Sequence, residues 1–145
     1  MSAIFRSINP KNNKLHRTFE AVSSIELESL IDRSYQRFRY EYLQDKSRIY
    51  RRFEKLGYLK EILAANKAEY AGLMTQEMGK PLAQAEAEVM KCATHIEYTI
   101  KHSRKQAEDE QLGVTNKYKS FMTHDPLGPF LGIIPWNFPF WMALK

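Results

Sequence analysis

Cysteine is nearly absent from this sequence, and other absences narrow the class of protein further. The single cysteine, Cys92, cannot form a disulfide within the chain. No apolar run is long enough to cross a membrane, since prolines interrupt the longest one near the C-terminus. The first ten residues form too short and too polar a segment for a secretory signal. We therefore expect a cytoplasmic protein without a membrane partner.

Motifs that bind phosphate groups, metals or nucleic acids are also missing. The sequence has six glycines, and they form no phosphate-binding loop. Four histidines, His16, His95, His102 and His124, have no second metal ligand at a characteristic spacing, so we expect no metal site. The basic residues behind the net charge of +5 are spread along the chain. This spread is typical of solvated helix faces and predicts no nucleic-acid partner.

Turn residues and apolar periodicity predict a short hairpin followed by helices. A turn at residues 9–13, which begins Asn-Pro, separates strands predicted at about 4–8 and 15–20. Ser23 or Ser24 is expected to cap a first helix that runs to about Leu43. Three more helices are predicted, beginning at Asp45 or Ser47, near Asn66, and near Pro81, with a stop between the last two at Gly79.

The last third of the sequence changes to shorter segments. Residues 108–110 are acidic and predict a solvated loop. At residues 115–123, Tyr118, Ser120 and Met122 alternate with Lys117, Lys119 and Phe121, which predicts one strand. The apolar run at 130–134 predicts another strand, and Pro139 suits the first turn of a helix. With 145 residues, the chain is expected to form one domain.

Asn137 stands between Pro135 and Pro139 in the segment Pro-Trp-Asn-Phe-Pro. Each proline fixes its own φ and pushes the preceding residue toward extended geometry, so the segment should be a stiff loop. A carboxamide held rigidly can donate a hydrogen bond to an oxyanion as its charge develops. The same residues allow a second interpretation, in which Asn137 caps a helix that begins near Pro139.

Four segments resemble the NAD(P)-dependent aldehyde dehydrogenases, in that family's order and spacing. Residues 126–139 resemble its Pro-Leu-Gly…Pro-Trp-Asn-Phe-Pro segment, and residues 8–19 resemble its opening hairpin. Glu-Met-Gly-Lys at 77–80 resembles its Glu-x-Gly-Lys segment, and residues 87–93 resemble the helix that follows. The resemblance covers essentially the whole chain. Within the family, Asn-Phe-Pro-x-Trp at 137–141 is most similar to the succinate-semialdehyde dehydrogenases.

This resemblance implies an α/β fold, of which the chain is the N-terminal part. The expected fragment is mostly helical, with an N-terminal hairpin and the first strand, at 130–134, of an incomplete Rossmann-like sheet. Residues 1–145 would be an incomplete N-terminal portion of the NAD(P)-binding domain. Residues 114–125 resemble part of the oligomerisation arm, which implies a homo-oligomer for the complete enzyme.

The resemblance also implies roles for residues around Asn137. Asn137 would be catalytic, donating to the oxygen of a thiohemiacetal intermediate. The residues just before it would run along the nicotinamide ribose of NAD or NADP; these are Ile134, Pro135 and Trp136. The residues just after it would line the tunnel for a small aldehyde substrate; these are Phe138, Trp141 and Met142.

Lys145 stands where the succinate-semialdehyde enzymes have an arginine that faces the substrate carboxylate. A lysine can bind that carboxylate as a point charge, although without the paired hydrogen bonds of an arginine. An equally open interpretation is a surface lysine at a frayed C-terminus. Cys92 is not the family's nucleophile, because it lies amid apolar residues of a predicted helix and is expected to be a packing residue.

Two hypotheses about function remain open from the sequence. In the first, the chain is part of an oxidoreductase that oxidises an aldehyde, such as succinate semialdehyde, to a carboxylate with NAD(P). The chain alone would then be inactive, because the family's catalytic cysteine, glutamate base, ribose-binding lysine and Gly-rich turn have no counterpart in it. In the second, the chain is a non-catalytic helical remnant of the family that acts as an interaction or structural subunit.

Overall fold

An antiparallel hairpin opens the chain in the computed structural model, which describes residues 3–43 and 49–145. Strands β1 (Ile4–Ile8) and β2 (Leu15–Glu20) pair with Phe5 opposite Phe19. The backbone N–H of Asn9 donates to the carbonyl of Lys14 at 2.9 Å and closes the turn. The hairpin predicted from the Asn-Pro turn is therefore confirmed.

The first helix, α1 (Ser24–Phe38), begins as its sequence predicts. Ser23 is its N-cap, and the Ser23 hydroxyl accepts a hydrogen bond from the backbone N–H of Glu26 at 3.2 Å. A π-helix (Arg39–Leu43) continues α1, so the predicted end near Leu43 is confirmed. The predicted start of the next helix at Asp45 or Ser47 lies outside the described residues.

Three helices follow: α2 (Ile49–Ala65), α3 (Lys67–Met78) and α4 (Leu82–Gln106). Gly79 ends α3 in the left-handed conformation at φ 76°, which glycine adopts without steric cost. Pro81 immediately precedes α4. The predicted stop at Gly79 and restart at Pro81 are confirmed. None of the described helices is both long enough and apolar enough to cross a membrane.

Helix α4 is the centre of the core and packs against α2, α3 and a short last helix, α5 (Pro139–Leu144). Ala85, Val89, Cys92 and Ile96 recur at helical spacing and are buried. The small side chains among them let the neighbouring helices approach closely. Cys92 is fully buried in this cluster, so its predicted packing role is confirmed.

A second hairpin replaces the single strand predicted at 115–123. Strands β3 (Glu110–Val114) and β4 (Lys119–Met122) pair in antiparallel fashion, and every residue of both strands is exposed. The Thr115 hydroxyl accepts a hydrogen bond from the N–H of Tyr118 at 3.1 Å. This bond stabilises a turn where the sequence pattern predicted continuous strand, because a threonine side chain can take the place of a backbone acceptor.

The strand predicted at 130–134 does not form. Residues 123–135 adopt neither helix nor strand, and Leu131 and Ile133 are each 89% exposed. A strand requires a neighbouring strand for its backbone hydrogen bonds, and the described part of the chain supplies none to this segment. The described residues consequently form a mostly helical α/β structure with two small antiparallel sheets.

Candidate functional site

Asn137 lies in the turn that immediately precedes α5 and is exposed. Its side chain makes no hydrogen bond to any residue that the structure describes. The N-cap residue of α5 is Phe138, and no side-chain cap bond forms there. The alternative in which Asn137 caps this helix is therefore wrong. The carboxamide of Asn137 remains available to donate to a molecule from outside this chain.

Glu88, which lies on α4, performs the capping of α5 instead. Its Oε1 atom accepts hydrogen bonds from the backbone N–H groups of Phe140 at 3.1 Å and Trp141 at 3.0 Å. N–H groups in the first turn of a helix have no acceptor within the helix, and Pro139 has no N–H to offer. One carboxylate oxygen thus satisfies the free N–H groups of Phe140 and Trp141 in the first turn of α5.

Lys80 contacts the chain just before α5, at the carbonyl of Asn137. Its Nζ atom donates to the backbone carbonyl of Asn137 at 2.9 Å and pairs with Oε2 of Glu88. The Lys80 ammonium also lies 3.9 Å from the centroid of the Phe138 ring, which is within the range of a cation–π contact. Lys80 and Glu88 are only 5% and 3% exposed. Two charges this deeply buried persist because each neutralises the other and both also bind polar backbone groups.

Local sequence explains how Lys80 and Glu88 come together. Gly79 reverses the chain at the end of α3, and the Thr75 hydroxyl donates to the carbonyl of Lys80 at 2.8 Å. Lys80 is thereby fixed beside the start of α4. Glu88 lies on the buried stripe of α4, next to Val89, and so points away from solvent. The two residues meet under the Asn137 turn.

The residues predicted to line the substrate tunnel have different environments. Trp141 is half-buried against α4, with the Lys91 ammonium 3.8 Å from its ring centroid. Phe138 and Met142 are 47% and 48% exposed, and Lys145 is exposed. Phe138 and Met142 therefore keep apolar surface that is accessible near Asn137, whereas much of Trp141 is used for packing.

The residues predicted to contact the cofactor lie before the turn. Pro135 is exposed, Ile134 is 39% exposed, and Trp136 is 76% exposed. Trp136 also lines a cleft of about 620 Å³ between the first hairpin, α3 and the start of α5. An open apolar surface is thus present on the N-terminal side of Asn137.

Cys92, the one cysteine of the chain, lies in the core with a raised pKa. Burial of the Cys92 thiol raises its pKa to about 11; the neighbouring Glu88 carboxylate also raises it, and Lys91 partly offsets both. A protonated thiol inside the core is a poor nucleophile. Among the described residues, no group of three or more histidine, cysteine, aspartate or glutamate side chains could hold a metal ion.

Sequence reasoning placed Lys80 in a family-like segment but missed its pairing with Glu88. A signal was present in the pattern of α4. Glu88 falls on the same helical stripe as Ala85, Cys92 and Ile96, where an acidic residue is out of place. Such a residue on a buried face predicts a buried cation as its partner, although it does not say which one.

Comparisons with known proteins agree with the sequence motifs. A family model described as the aldehyde dehydrogenase family matches residues 2–145. The chain is 33% identical over 141 residues to the NADP(+) succinate-semialdehyde dehydrogenase of Mycobacterium avium, covering 96% of this chain and 29% of the relative. It is 34% identical over 142 residues to a probable NADP(+) succinate-semialdehyde dehydrogenase of Synechocystis, covering 96% of this chain and 30% of the relative.

Solved structures give the same result for the backbone. Succinic semialdehyde dehydrogenase from Streptococcus pyogenes, in complex with NADP+, matches with a TM-score of 0.83 at 25% identity over 97% of this chain and 30% of that one. An aldehyde dehydrogenase from Brucella melitensis matches with a TM-score of 0.86 at 26% identity over 98% and 29%. The chain therefore spans about 30% of the length of these relatives. On the family match and the shared backbone, this chain belongs to the aldehyde dehydrogenase family.

Proposed function

We propose that this chain supplies the oxyanion donor and part of the cofactor-binding surface of an aldehyde dehydrogenase that uses NAD(P). The reaction converts an aldehyde, with succinate semialdehyde as the first candidate, into a carboxylate. The observation that carries the proposal is the exposed Asn137 carboxamide, which has no described internal partner and lies on a backbone held by two buried charges. The names of the relatives support the choice of substrate.

The chemical role of Asn137 follows from its exposed side chain. When a nucleophile adds to an aldehyde carbon, negative charge develops on the carbonyl oxygen. An N–H donor that is already oriented toward this oxygen stabilises the transition state more than the substrate. The nucleophile must come from polypeptide outside these 145 residues, because the one cysteine of this chain is buried with a raised pKa.

The cofactor would lie against Ile134, Pro135 and Trp136, whose exposed apolar surface fits the edge of a ribose and a flat ring. When bound, NAD(P)⁺ accepts a hydride from the substrate carbon. These residues would exclude water from one side of the reacting atoms and orient the substrate next to Asn137. The relatives named above are NADP(+) enzymes, which makes NADP⁺ the first cofactor to test.

The aldehyde would approach Asn137 from its C-terminal side. Phe138 and Met142 offer accessible apolar surface there, and Trp141 forms the wall of this region nearest the core. Lys145 would attract the carboxylate of succinate semialdehyde as a point charge. A neutral aldehyde would gain nothing from that charge, so Lys145 favours an acidic substrate.

The wider organisation of the protein remains a proposal as well. Residues 1–145 would be the incomplete N-terminal portion of the NAD(P)-binding domain, and residues 114–125 would be part of an oligomerisation arm. The complete exposure of β3 and β4 supports the arm, because an exposed sheet edge can pair with another subunit. A homo-oligomer is expected for the complete enzyme, and a cytoplasmic location stays a prediction.

A second candidate function is that of a non-catalytic interaction or structural subunit. Phe130, Leu131 and Ile133 favour this candidate, since they are 80%, 89% and 89% exposed in one short segment. Contiguous apolar surface of this kind is usually covered by other polypeptide. The first candidate also requires such covering, so the test must measure turnover rather than association.

A chimeric enzyme tests the proposed function directly. Residues 1–145 would replace the matching N-terminal segment of a related succinate-semialdehyde dehydrogenase, and NADPH formation would be followed with succinate semialdehyde. We expect turnover by the chimera and none by the 145-residue chain alone. A chimera that folds and assembles like the unmodified relative but never reduces NADP⁺ would overturn the proposal in favour of the second candidate.

A further inference from the structure

The backbone that starts at the carbonyl of Asn137 is held at two places by side chains that are themselves buried. Lys80 donates to the carbonyl of Asn137, at 2.9 Å. Glu88 accepts from the N–H groups of Phe140 and Trp141, three and four residues later. These contacts hold the backbone from the carbonyl of Asn137 to Trp141 and use backbone atoms, so the side chain of Asn137 is left untouched.

The two contacts also depend on each other. Lys80 and Glu88 are joined by a buried ion pair, so neither can shift without leaving the other charge unpaired in the core. Both residues also belong to well-ordered parts of the chain. Lys80 directly follows Gly79, which ends α3, and Glu88 lies on α4 itself. The turn at Asn137 is therefore attached to α3 and α4, the best-packed part of the fold.

From this geometry we infer that Lys80 and Glu88 are positioning residues that fix the direction of the Asn137 carboxamide. They act through the backbone and do not touch the reacting atoms. The catalytic consequence rests on the proposed function, because an oriented donor lowers a barrier only if an oxyanion forms beside it. The fixing of the turn does not rest on it and can be measured in the 145-residue chain.

A purely structural ion pair would give the same contacts but a different response to substitution. Apolar residues of similar volume often replace a buried ion pair without loss of stability. Methionines at both positions would fill the space of Lys80 and Glu88, yet they cannot donate to the Asn137 carbonyl or accept from the first-turn N–H groups. The double variant Lys80→Met/Glu88→Met thus separates stability from positioning.

Amide hydrogen exchange followed by NMR is the first measurement. In Glu88→Ala, exchange at Phe140 and Trp141 should accelerate by at least about tenfold, because each N–H loses a charged acceptor. Glu88→Gln keeps an oxygen at the same place and should restore most of the protection. The matched control is Glu97→Ala, an exposed glutamate on the same helix, which should change neither amide.

Backbone relaxation at Asn137 is the second measurement. In the folded double variant, the order parameter of Asn137 should fall from about 0.85 toward 0.6, while values along α4 stay unchanged. Lys101→Met, an exposed lysine near the end of α4, is the matched control for the loss of one ammonium. If the Glu88→Ala variant does not fold, the measurements on the double variant test the inference instead.

A double variant that folds and keeps both the wild-type exchange rates and the wild-type order parameter would overturn the inference. The readout is independent of turnover. An ordered turn in an inactive chimera would refute the proposed function and leave the positioning intact, and a mobile turn in the folded wild-type chain would refute the positioning alone.

Discussion

The indole ring of Trp141 meets the imidazole of His95 edge to face, with ring centroids 5.2 Å apart and ring planes at 68°. Lys91, one turn earlier on α4, places its ammonium over the same indole. The backbone N–H of Trp141 is meanwhile bound by Glu88. One face of α4 therefore holds Trp141 through both its side chain and its backbone, and so fixes a helix of only six residues.

The two tryptophans should differ in their contribution to stability. Trp141→Ala is expected to lower the free energy of unfolding by about 2–3 kcal/mol, somewhat less than the loss for a fully buried tryptophan. Trp136→Ala is the matched control, and since Trp136 is 76% exposed it should change stability by no more than about 0.5 kcal/mol. Urea denaturation measures both. Equal losses would contradict the docking of α5 through Trp141.

Asn137→Ala should lower kcat in the chimeric enzyme by about 10²-fold, the effect of removing one oxyanion donor. The lost hydrogen bond forms mainly in the transition state, so kcat falls while the affinity for the substrate should change little. Gln84→Ala removes an exposed carboxamide near the start of α4 and should leave kcat unchanged. Steady-state rates with succinate semialdehyde measure the effect. An Asn137→Ala enzyme as fast as its parent would exclude this carboxamide from the mechanism.

The Cys92 thiol should resist alkylation in the folded chain. With a pKa of about 11, roughly one thiol in a thousand is ionised at about pH 8, and burial also blocks the reagent. Labelling with a disulfide reagent should therefore be slow in buffer and fast in denaturant. Rapid labelling of the folded chain would show that Cys92 is accessible, and Cys92 would then have to be considered as a nucleophile.

The raised pKa of Cys92 also predicts a loss of stability in alkali. Well below pH 9 the thiol is protonated in both states, so Cys92 contributes no pH dependence there. Between about pH 9 and 11 the unfolded chain releases this proton and the folded chain keeps it, so the free energy of unfolding falls. Other groups titrate there too, and the Cys92→Ala variant corrects for them. The wild-type curve should fall more steeply than that of the variant; parallel curves would contradict the shift.

Two glycine substitutions should change stability in opposite directions. Gly79 has a φ of 76°, and a Cβ there would lie 3.3 Å from Cγ of Pro10, so Gly79→Ala should cost about 1–2 kcal/mol. Gly57 lies within α2, where an added Cβ would have no neighbouring atom within 4 Å, so Gly57→Ala should stabilise by roughly 0.5–1 kcal/mol. Thermal unfolding of both variants tests the pair. A stabilising Gly79→Ala would contradict the left-handed turn that presents Lys80.

Local chemistry was sufficient for the boundaries of several elements. The turn after Ile8, the cap at Ser23 and the stop at Gly79 were predicted because each depends on residues within a few positions in the chain. The second hairpin was missed because the residues of β3 were not predicted as a strand, and the turn at Thr115 lies at the start of the strand predicted at 115–123. The strand at 130–134 was predicted from its apolar residues, although its formation depends on neighbours that the described residues do not provide.

The sequence by itself determined the helical core, the turn at Asn137 between two prolines and the family resemblance, since all three follow from local residue types and their spacing. The tertiary structure alone decided how that loop is held. Glu88 and Trp141 are 53 positions apart, Lys80 and Asn137 are 57 positions apart, and no local pattern specifies such pairs. The physical reason is that a buried charge needs a partner close in space, and folding, rather than proximity in the chain, selects it.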